Sequence, residues 1–200
     1  MPKNKSAIRK KVIEMRENDL SFRERKEKSS HLASLLINDL LLATNVNSVG
    51  LYYPIKGEVD TFPVFDFLIS RGTTCLFPRV VSDVEMVFLP VSSKRELVRR
   101  KFGVYEPDVG FYTGLEGSVP DIVVVPGVAF DRENHRIGYG RGFYDRYLSR
   151  HKPLLTIGFG YAFQVLNAID ADLWDVKLDL VLTENGWQGD NKNIFAGGSR

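Results

Sequence analysis

The sequence predicts one α/β domain built on a largely parallel sheet. Stretches with helical periodicity alternate along the chain with short apolar stretches, which is typical of such domains. The run D-I-V-V-V-P, from Asp121, is apolar without alternation, as expected for a strand covered on both faces. The length of 200 residues and the apolar fraction of 44% suit a single globular domain with a core of ordinary size.

Two helices and a strand are predicted for the first quarter of the chain. Residues 3–18 are expected to form the first helix. Ser21 and Glu24 form a capping box for a second helix, whose apolar residues continue at helical spacing to Leu40. The stretch S-V-G-L-Y-Y, from Ser48, then predicts a buried strand.

The middle of the chain continues the alternation. Thr61 is expected to cap a helix over residues 62–71, which Gly72 ends. Strands are predicted at T-C-L-F-P and V-E-M-V-F-L, and a short helix at K-R-E-L-V-R-R, residues 94–100.

The last third holds the core strand D-I-V-V-V-P, a helix that begins near Gly142, and the strands L-L-T-I-G-F and L-D-L-V-L-T. After Glu184 the chain is rich in Gly and Asn. We therefore assign residues 1–184 to the domain and expect residues 185–200 to form a flexible tail, with Trp187 or Phe195 as candidates for docking on the domain.

Composition argues against several classes of protein. No apolar run is long enough to span a bilayer, and the start, M-P-K-N-K-S, lacks the apolar stretch of a secretory signal. The single cysteine, Cys75, can form no disulfide within the chain, which favours a reducing cytoplasm.

The net charge of +2 is unevenly distributed. Residues 1–28 hold ten Lys or Arg and five Asp or Glu, hence +5. Such a segment could contact nucleic acid or a smaller anion, although the interleaved glutamates equally suit a solvated helix face. Lys5 and Arg9, four residues apart, repel each other mildly unless an anion lies between them.

The stretch R-I-G-Y-G-R-G-F-Y-D, from Arg136, places three glycines at alternate positions just before a predicted helix. Helix N-termini bind anions and glycines let backbone donors approach closely, so this glycine loop could bind phosphate, with Arg136 and Arg141 adding charge. On spacing alone, a tight connection into the helix explains the glycines equally well. The spacing differs from the dinucleotide fingerprint and from a P-loop, which disfavours a nicotinamide enzyme.

Four stretches of the chain share one further pattern: K-S-A-I-R, Y-Y-P-I-K-G-E-V-D-T, V-V-P-G-V-A-F-D with the glycine loop, and W-D-V-K-L-D-L-V-L-T-E. Their order and separation resemble those of the 5-formyltetrahydrofolate cyclo-ligase family. The resemblance covers nearly the whole chain except the tail. The resemblance implies a three-layer α/β fold with a Rossmann-like sheet. It also implies ATP- and Mg²⁺-dependent conversion of 5-formyltetrahydrofolate to 5,10-methenyltetrahydrofolate, with release of ADP and phosphate.

The resemblance implies a nucleotide site made by the first helix and the glycine loop. ATP contacts are expected from Lys5, Arg9, Arg136, Ile137, Gly138, Tyr139, Gly140, Arg141, Gly142, Phe143 and Tyr144. Arg141, Tyr144 and Asp145 are expected to be catalytic, since phosphoryl transfer asks the protein mainly for alignment and charge neutralisation. Phe143 and Arg141 depart from the family, in which tyrosine and lysine or glycine, respectively, are usual.

The resemblance also implies a folate site and a metal site. Substrate contacts are expected from Tyr53, Glu58, Tyr139, Gly140, Arg141, Gly142 and Phe143. Asp145 and Asp179 are expected to hold Mg²⁺, which needs only one or two carboxylates besides phosphates and water. The expected partners are the two small-molecule substrates, without nucleic acid or membrane, for a monomeric cytoplasmic enzyme.

Two other classes of function compete with this enzyme. A nucleic-acid-binding module would use the basic first helix, but the interleaved aromatic residues of a single-strand binder are missing from it. A nucleotide sensor without catalysis would keep the glycine loop but has no need of Glu58.

Overall fold

The computed structural model describes residues 5–100, 103–108, 110 and 117–188. Its helices are α1 (Lys5–Asn18), α2 (Phe22–Leu36), α3 (Phe62–Ser70) and α4 (Phe143–Arg150). Its strands are β1 (Ser48–Gly50), β2 (Thr74–Val80), β3 (Met86–Pro90), β4 (Leu97–Arg99), β5 (Tyr105–Pro107), β6 (Ile122–Pro126), β7 (Ala129–Asp131), β8 (Arg136–Ile137), β9 (Leu155–Phe159), β10 (Val165–Leu166), β11 (Leu180–Thr183) and β12 (Gly186–Gln188).

The central sheet has seven strands in the order β12-β11-β9-β6-β1-β2-β3. The five inner strands are parallel to one another, and the edge strands β12 and β3 pair antiparallel with β11 and β2. Smaller sheets are formed by β10-β7-β8 and by β4-β5. The predicted α/β class with a largely parallel sheet is confirmed.

Helices cover both faces of the central sheet. Val124 of β6 points into a cluster that contains Leu32 of α2 and Val64 of α3. Val123 and Val125, its neighbours in the strand, point the other way, toward Leu148 of α4. This alternation produces the three layers and explains the unbroken valine run.

A local signal fixes the start of α2, whereas a predicted cap for α3 does not form. The Ser21–Glu24 capping box is present, because each residue's side chain accepts a bond from the other's backbone N–H. Thr61 lies at the predicted N-cap position of α3, but its side chain makes no cap bond: the hydroxyl donates to the carbonyl of Tyr52 at 2.6 Å, and Asp60 accepts from the Phe62 N–H instead.

The prediction of a short helix over residues 94–100 is wrong. Lys94–Glu96 form a single 3₁₀ turn, and the chain then enters β4. Leu97 is buried there and β4 pairs with β5, so burial and strand pairing override the helical propensity of the charged residues.

The ordered fold extends beyond the predicted boundary at residue 184. Gly186–Gln188 form the edge strand β12, paired with β11. Trp187 packs against the core and donates its indole N–H to Asp39 at 2.9 Å, which confirms its predicted docking. Phe195 lies outside the described residues. Among the described helices, none is long and apolar enough to cross a membrane.

Candidate active site

The candidate site lies where several chain segments leave the carboxyl ends of the central strands, the edge at which open α/β sheets bind ligands. The segment after β1 carries Glu58, and Gly127 follows β6. The glycine loop, residues 138–142, connects β8 to α4. Helix α1 contacts all three segments through the contacts described below.

The glycine loop requires glycine at two positions for conformational reasons. Gly140 has φ +95° and Gly142, which precedes α4, has φ +66°, and both values are unfavourable for residues with a side chain. Gly138 is different: its φ is not positive, and a Cβ placed on it would meet no atom within 4 Å. The turn therefore explains Gly140 and Gly142 by itself, whereas Gly138 borders open space.

One face of α1 is directed at this loop. Arg9 donates its Nε–H to the carbonyl of Gly138 at 2.7 Å. Lys5, one turn earlier, places its ammonium between Asp172 at 2.6 Å and Asp175 at 2.7 Å. Burial opposes the charge of Lys5, but the two aspartate bonds outweigh it and raise the lysine pKa. The structure thus brings both predicted cations to the glycine loop or its immediate surroundings.

Arg16, on the same face of α1, is fully buried between the loops. Its guanidinium donates to the Tyr139 hydroxyl at 2.5 Å and to the Gly127 carbonyl at 3.4 Å. It also forms an ion pair with Glu58, with 3.9 Å between Nη1 and Oε1. Arg16 therefore joins the glycine loop, the segment after β6 and the segment after β1.

Glu58 is 7% exposed, and this burial raises its pKa to about 7. The Arg16 charge, the Ile55 N–H at 3.0 Å and, to a smaller extent, Tyr139 and Lys56 oppose that rise. Within the described part of the chain, Glu58 Oε1, Arg16 Nε and the Tyr144 hydroxyl are buried without a hydrogen-bond partner. Burial and the nearby Glu58 carboxylate raise the pKa of Tyr144, so its hydroxyl keeps its proton. The cluster therefore retains unused buried donors and acceptors.

Arg136 and Asp145 form a second polar group beside the loop. Arg136 is 6% exposed, and its Nη1 donates to Asp145 Oδ1 at 2.9 Å and to the Val176 carbonyl at 3.2 Å. The Val176 N–H donates to the same Asp145 oxygen at 3.1 Å. Asp175 directly precedes Val176 in the chain, so the backbone at Asp175 lies close to Asp145, while the Asp175 side chain accepts from Lys5.

Two predicted site residues make their contacts elsewhere. Tyr53 stacks on Tyr105, with ring centroids 4.4 Å apart, and makes an edge contact with Phe62. Asp179 accepts from the N–H and hydroxyl of Thr156 at 2.7 and 2.6 Å, where β9 and β11 begin. The amino ends of these strands lie at the edge of the sheet opposite the glycine loop. The described contacts therefore give Asp179 a structural role, and its role as a metal ligand stays a prediction.

The remaining loop residues lie where the sequence places them. Arg141 is exposed at the loop, Ile137 is buried in β8, and Phe143 packs partly buried against the core beneath the Arg146 guanidinium. Sequence reasoning missed Arg16 and the aspartates 172 and 175. Arg16 had a usable signal: Lys5, Arg9, Val12 and Arg16 are spaced four, three and four apart, which puts them on one helix face.

Comparison with known proteins identifies the family. The profile of the 5-formyltetrahydrofolate cyclo-ligase family matches residues 2–184. The 5-formyltetrahydrofolate cyclo-ligase of Mycoplasma pneumoniae is 32% identical over 187 residues, which cover 90% of this chain and 99% of that protein. The Escherichia coli K12 enzyme of the same name is 30% identical over 141 residues, 68% of this chain and 78% of its own.

A solved structure agrees with these sequence matches. The 5,10-methenyltetrahydrofolate synthetase of Aquifex aeolicus superposes with a TM-score of 0.78 at 36% identity, over 92% of this chain and 91% of that one. The family profile, the relatives and the shared fold all agree over most of the length. The chain therefore belongs to the 5-formyltetrahydrofolate cyclo-ligase family of enzymes.

Proposed function

We propose that this protein converts 5-formyltetrahydrofolate to 5,10-methenyltetrahydrofolate, using ATP and Mg²⁺ and releasing ADP and phosphate. The observation that carries the proposal is the arrangement around α1. Arg9 is bonded to the glycine loop and Arg16 is paired with Glu58, so one helix face adjoins a candidate phosphate site and a buried carboxylate. A bare nucleotide sensor has no use for that carboxylate.

The nucleotide phosphates are proposed to lie against the backbone of the glycine loop. The N-terminal N–H groups of α4 and the guanidinium of Arg9 favour negative charge there, and Arg141 adds a further cation at the exposed side. The open space beside Gly138 leaves room for a ligand atom against the backbone. Lys5 is bonded to Asp172 and Asp175, so it exchanges aspartate oxygens for phosphate oxygens if it contacts ATP.

The carboxylates beside the loop fit Mg²⁺. This cation prefers oxygen ligands and is commonly held by one or two carboxylates together with phosphates and water. Asp145 and Asp175 are proposed as those carboxylates, and the ion pair of Asp175 with the Lys5 ammonium supports the placement of a cation there. The described residues contain no group of three or more acidic, His or Cys side chains arranged as a metal cage, which a site shared with ATP does not require. Bound there, Mg²⁺ neutralises phosphate charge.

The folate is proposed to place its pterin ring at Glu58. The free Oε1 of that side chain can accept from the ring N–H groups, and the unused Tyr144 hydroxyl can donate to a ring or formyl oxygen. Tyr139 adds a flat surface that the Arg16 and Lys56 cations also face. A buried site of this kind strengthens hydrogen bonds by excluding water.

The proposed reaction proceeds in two steps. The formyl oxygen attacks the γ-phosphorus of ATP, and the bond between that phosphorus and the ADP oxygen breaks. The N10 lone pair then adds to the activated formyl carbon, the carbon–oxygen bond breaks, and phosphate leaves with the former formyl oxygen and the N10 proton. Alignment of the two substrates by the glycine loop is the main requirement, which agrees with a site rich in cations and hydrogen-bond donors.

Absorbance of methenyltetrahydrofolate tests the proposal. Purified protein mixed with 5-formyltetrahydrofolate should form the product only when ATP and Mg²⁺ are both present. Product formed without ATP, or a rate of ATP hydrolysis that does not depend on 5-formyltetrahydrofolate, would contradict it.

A further inference from the structure

Arg16 is a charged side chain that the fold buries completely, beside a carboxylate that is itself buried. Taking a guanidinium out of water is unfavourable unless its charge and its donors are used. Arg16 uses Nη2 on the Tyr139 hydroxyl and Nη1 on the Gly127 carbonyl, but its contact with Glu58 is an ion pair at 3.9 Å and not a hydrogen bond. Nε has no partner among the described residues.

The backbone of Arg16 is fixed as well. Arg25 donates to its carbonyl at 3.0 Å, and that carbonyl lies against Gly57, where a Cβ would approach it to 3.1 Å. The residue before Glu58 is therefore packed directly on the helix turn that carries Arg16. Such packing fixes the distance between the guanidinium and the carboxylate. It leaves Glu58 Oε1 without a hydrogen bond from the described residues.

From this geometry we propose that Arg16 is a positioning residue, which stabilises the Glu58 carboxylate for the folate and fixes Tyr139 of the glycine loop, so that one side chain couples the two halves of the site. The part that concerns the folate rests on the proposed function. The coupling of Arg16 to Glu58 and Tyr139 does not, because it is present in the protein alone.

The charges around Glu58 show why Arg16 is the decisive one. Tyr52, Tyr139 and Tyr144, which face it from the segment after β1, the glycine loop and α4, keep their protons because burial raises their pKa values. Lys56 is the other cation nearby, and its effect on the Glu58 pKa is smaller than that of Arg16. Without Arg16, the main opposing charge is lost, so burial would raise the Glu58 pKa further and the carboxyl would be mostly protonated at neutral pH.

The test is a ¹³C NMR titration of the Glu58 carboxyl group, assigned by the signal lost in Glu58→Gln. Wild type should titrate near pH 7. Arg16→Met should titrate at least one pH unit higher, a tenfold change in the protonation constant. Arg16→Lys should restore most of the difference. Arg25→Met is the matched control: it loosens the same helix turn without touching Glu58, so it should lower the melting temperature and leave the titration in place.

Kinetics add a second readout. The acid limb of kcat/KM for 5-formyltetrahydrofolate should move with the Glu58 titration in Arg16→Met and should vanish in Glu58→Gln. If Arg16→Met does not fold, Arg16→Gln, which can still donate to Tyr139, should show the same shift. Folded Arg16→Met or Arg16→Gln with a wild-type titration, or an equal shift in Arg25→Met, would overturn the inference. Absence of product in wild type would defeat the proposed function while the NMR arm still decided the role of Arg16.

Discussion

The glycines of the loop are explained either by bound phosphate or by a tight turn into α4. Gly138 separates these two explanations, because the structure places no conformational demand on it. A methyl group on Gly138 meets no protein atom within 4 Å, and the residue does not have a positive φ. Replacing glycine by alanine at such a position stabilises a protein by about 0.4–1 kcal/mol, through the lower entropy of the unfolded chain. Gly138→Ala should therefore melt at or slightly above the wild-type temperature.

The same methyl group occupies the space assigned to the ATP phosphates. Loss of one charge-assisted hydrogen bond costs roughly 1.5–3 kcal/mol, so ATP affinity should fall roughly ten- to a hundredfold. Calorimetric titration with ATP measures this affinity, and thermal melts measure stability.

Gly140→Ala is the matched comparison. At φ +95° an alanine is strained by about 1–2 kcal/mol, so this variant should melt several degrees lower. Normal ATP affinity in a stable Gly138→Ala protein would refute the placement of the phosphates, and would leave Gly140 and Gly142 explained by the turn alone.

Three further predictions concern the charged groups of the site. Lys5→Ala and Arg9→Ala should each raise the KM for ATP roughly ten- to a hundredfold, whereas Lys10→Ala, an exposed cation on the same helix, should not. Unchanged KM in both variants would leave Lys5 and Arg9 with structural contacts only. Burial raises the pKa of Glu58 to about 7, and the proposed contact with the pterin uses the carboxylate form. KM for the folate should therefore rise about tenfold per pH unit below 7 in steady-state kinetics, and should be flat in Glu58→Gln. Asp145→Asn should raise the Mg²⁺ concentration needed for half-maximal rate. Asp179→Ala, which loses both hydrogen bonds from Thr156, should mainly lower the melting temperature; the reverse result would restore Asp179 as the metal ligand.

The fold could largely be predicted from the sequence because its main elements carry local signals. The Ser21–Glu24 capping box and the valine run of β6 are recognisable without tertiary information. The predictions fail where tertiary contacts override local ones. The Thr61 hydroxyl donates to the Tyr52 carbonyl and does not cap α3, and Leu97 lies in the β4–β5 strand pair and not in a helix. The docking of β12 likewise depends on the free edge of β11, which no local pattern reveals.

The candidate site was predictable only in part. The motifs pointed to the glycine loop and to Glu58, and the structure brings these together at one edge of the sheet. Arg16 was missed because a charged residue near the end of a basic helix resembles its solvated neighbours, and only the fold shows it buried. The bond between the Val176 N–H and Asp145 depends on how the chain before β11 passes α4, which sequence spacing does not specify.

The most direct measurement follows the formyl oxygen through the reaction. With 5-formyltetrahydrofolate labelled by ¹⁸O in the formyl group, each methenyltetrahydrofolate formed should be matched by one ADP and by one phosphate that carries the label, as mass spectrometry would show. Unlabelled phosphate, or ADP released in excess of the folate product, would contradict transfer of the γ-phosphoryl group to the formyl oxygen.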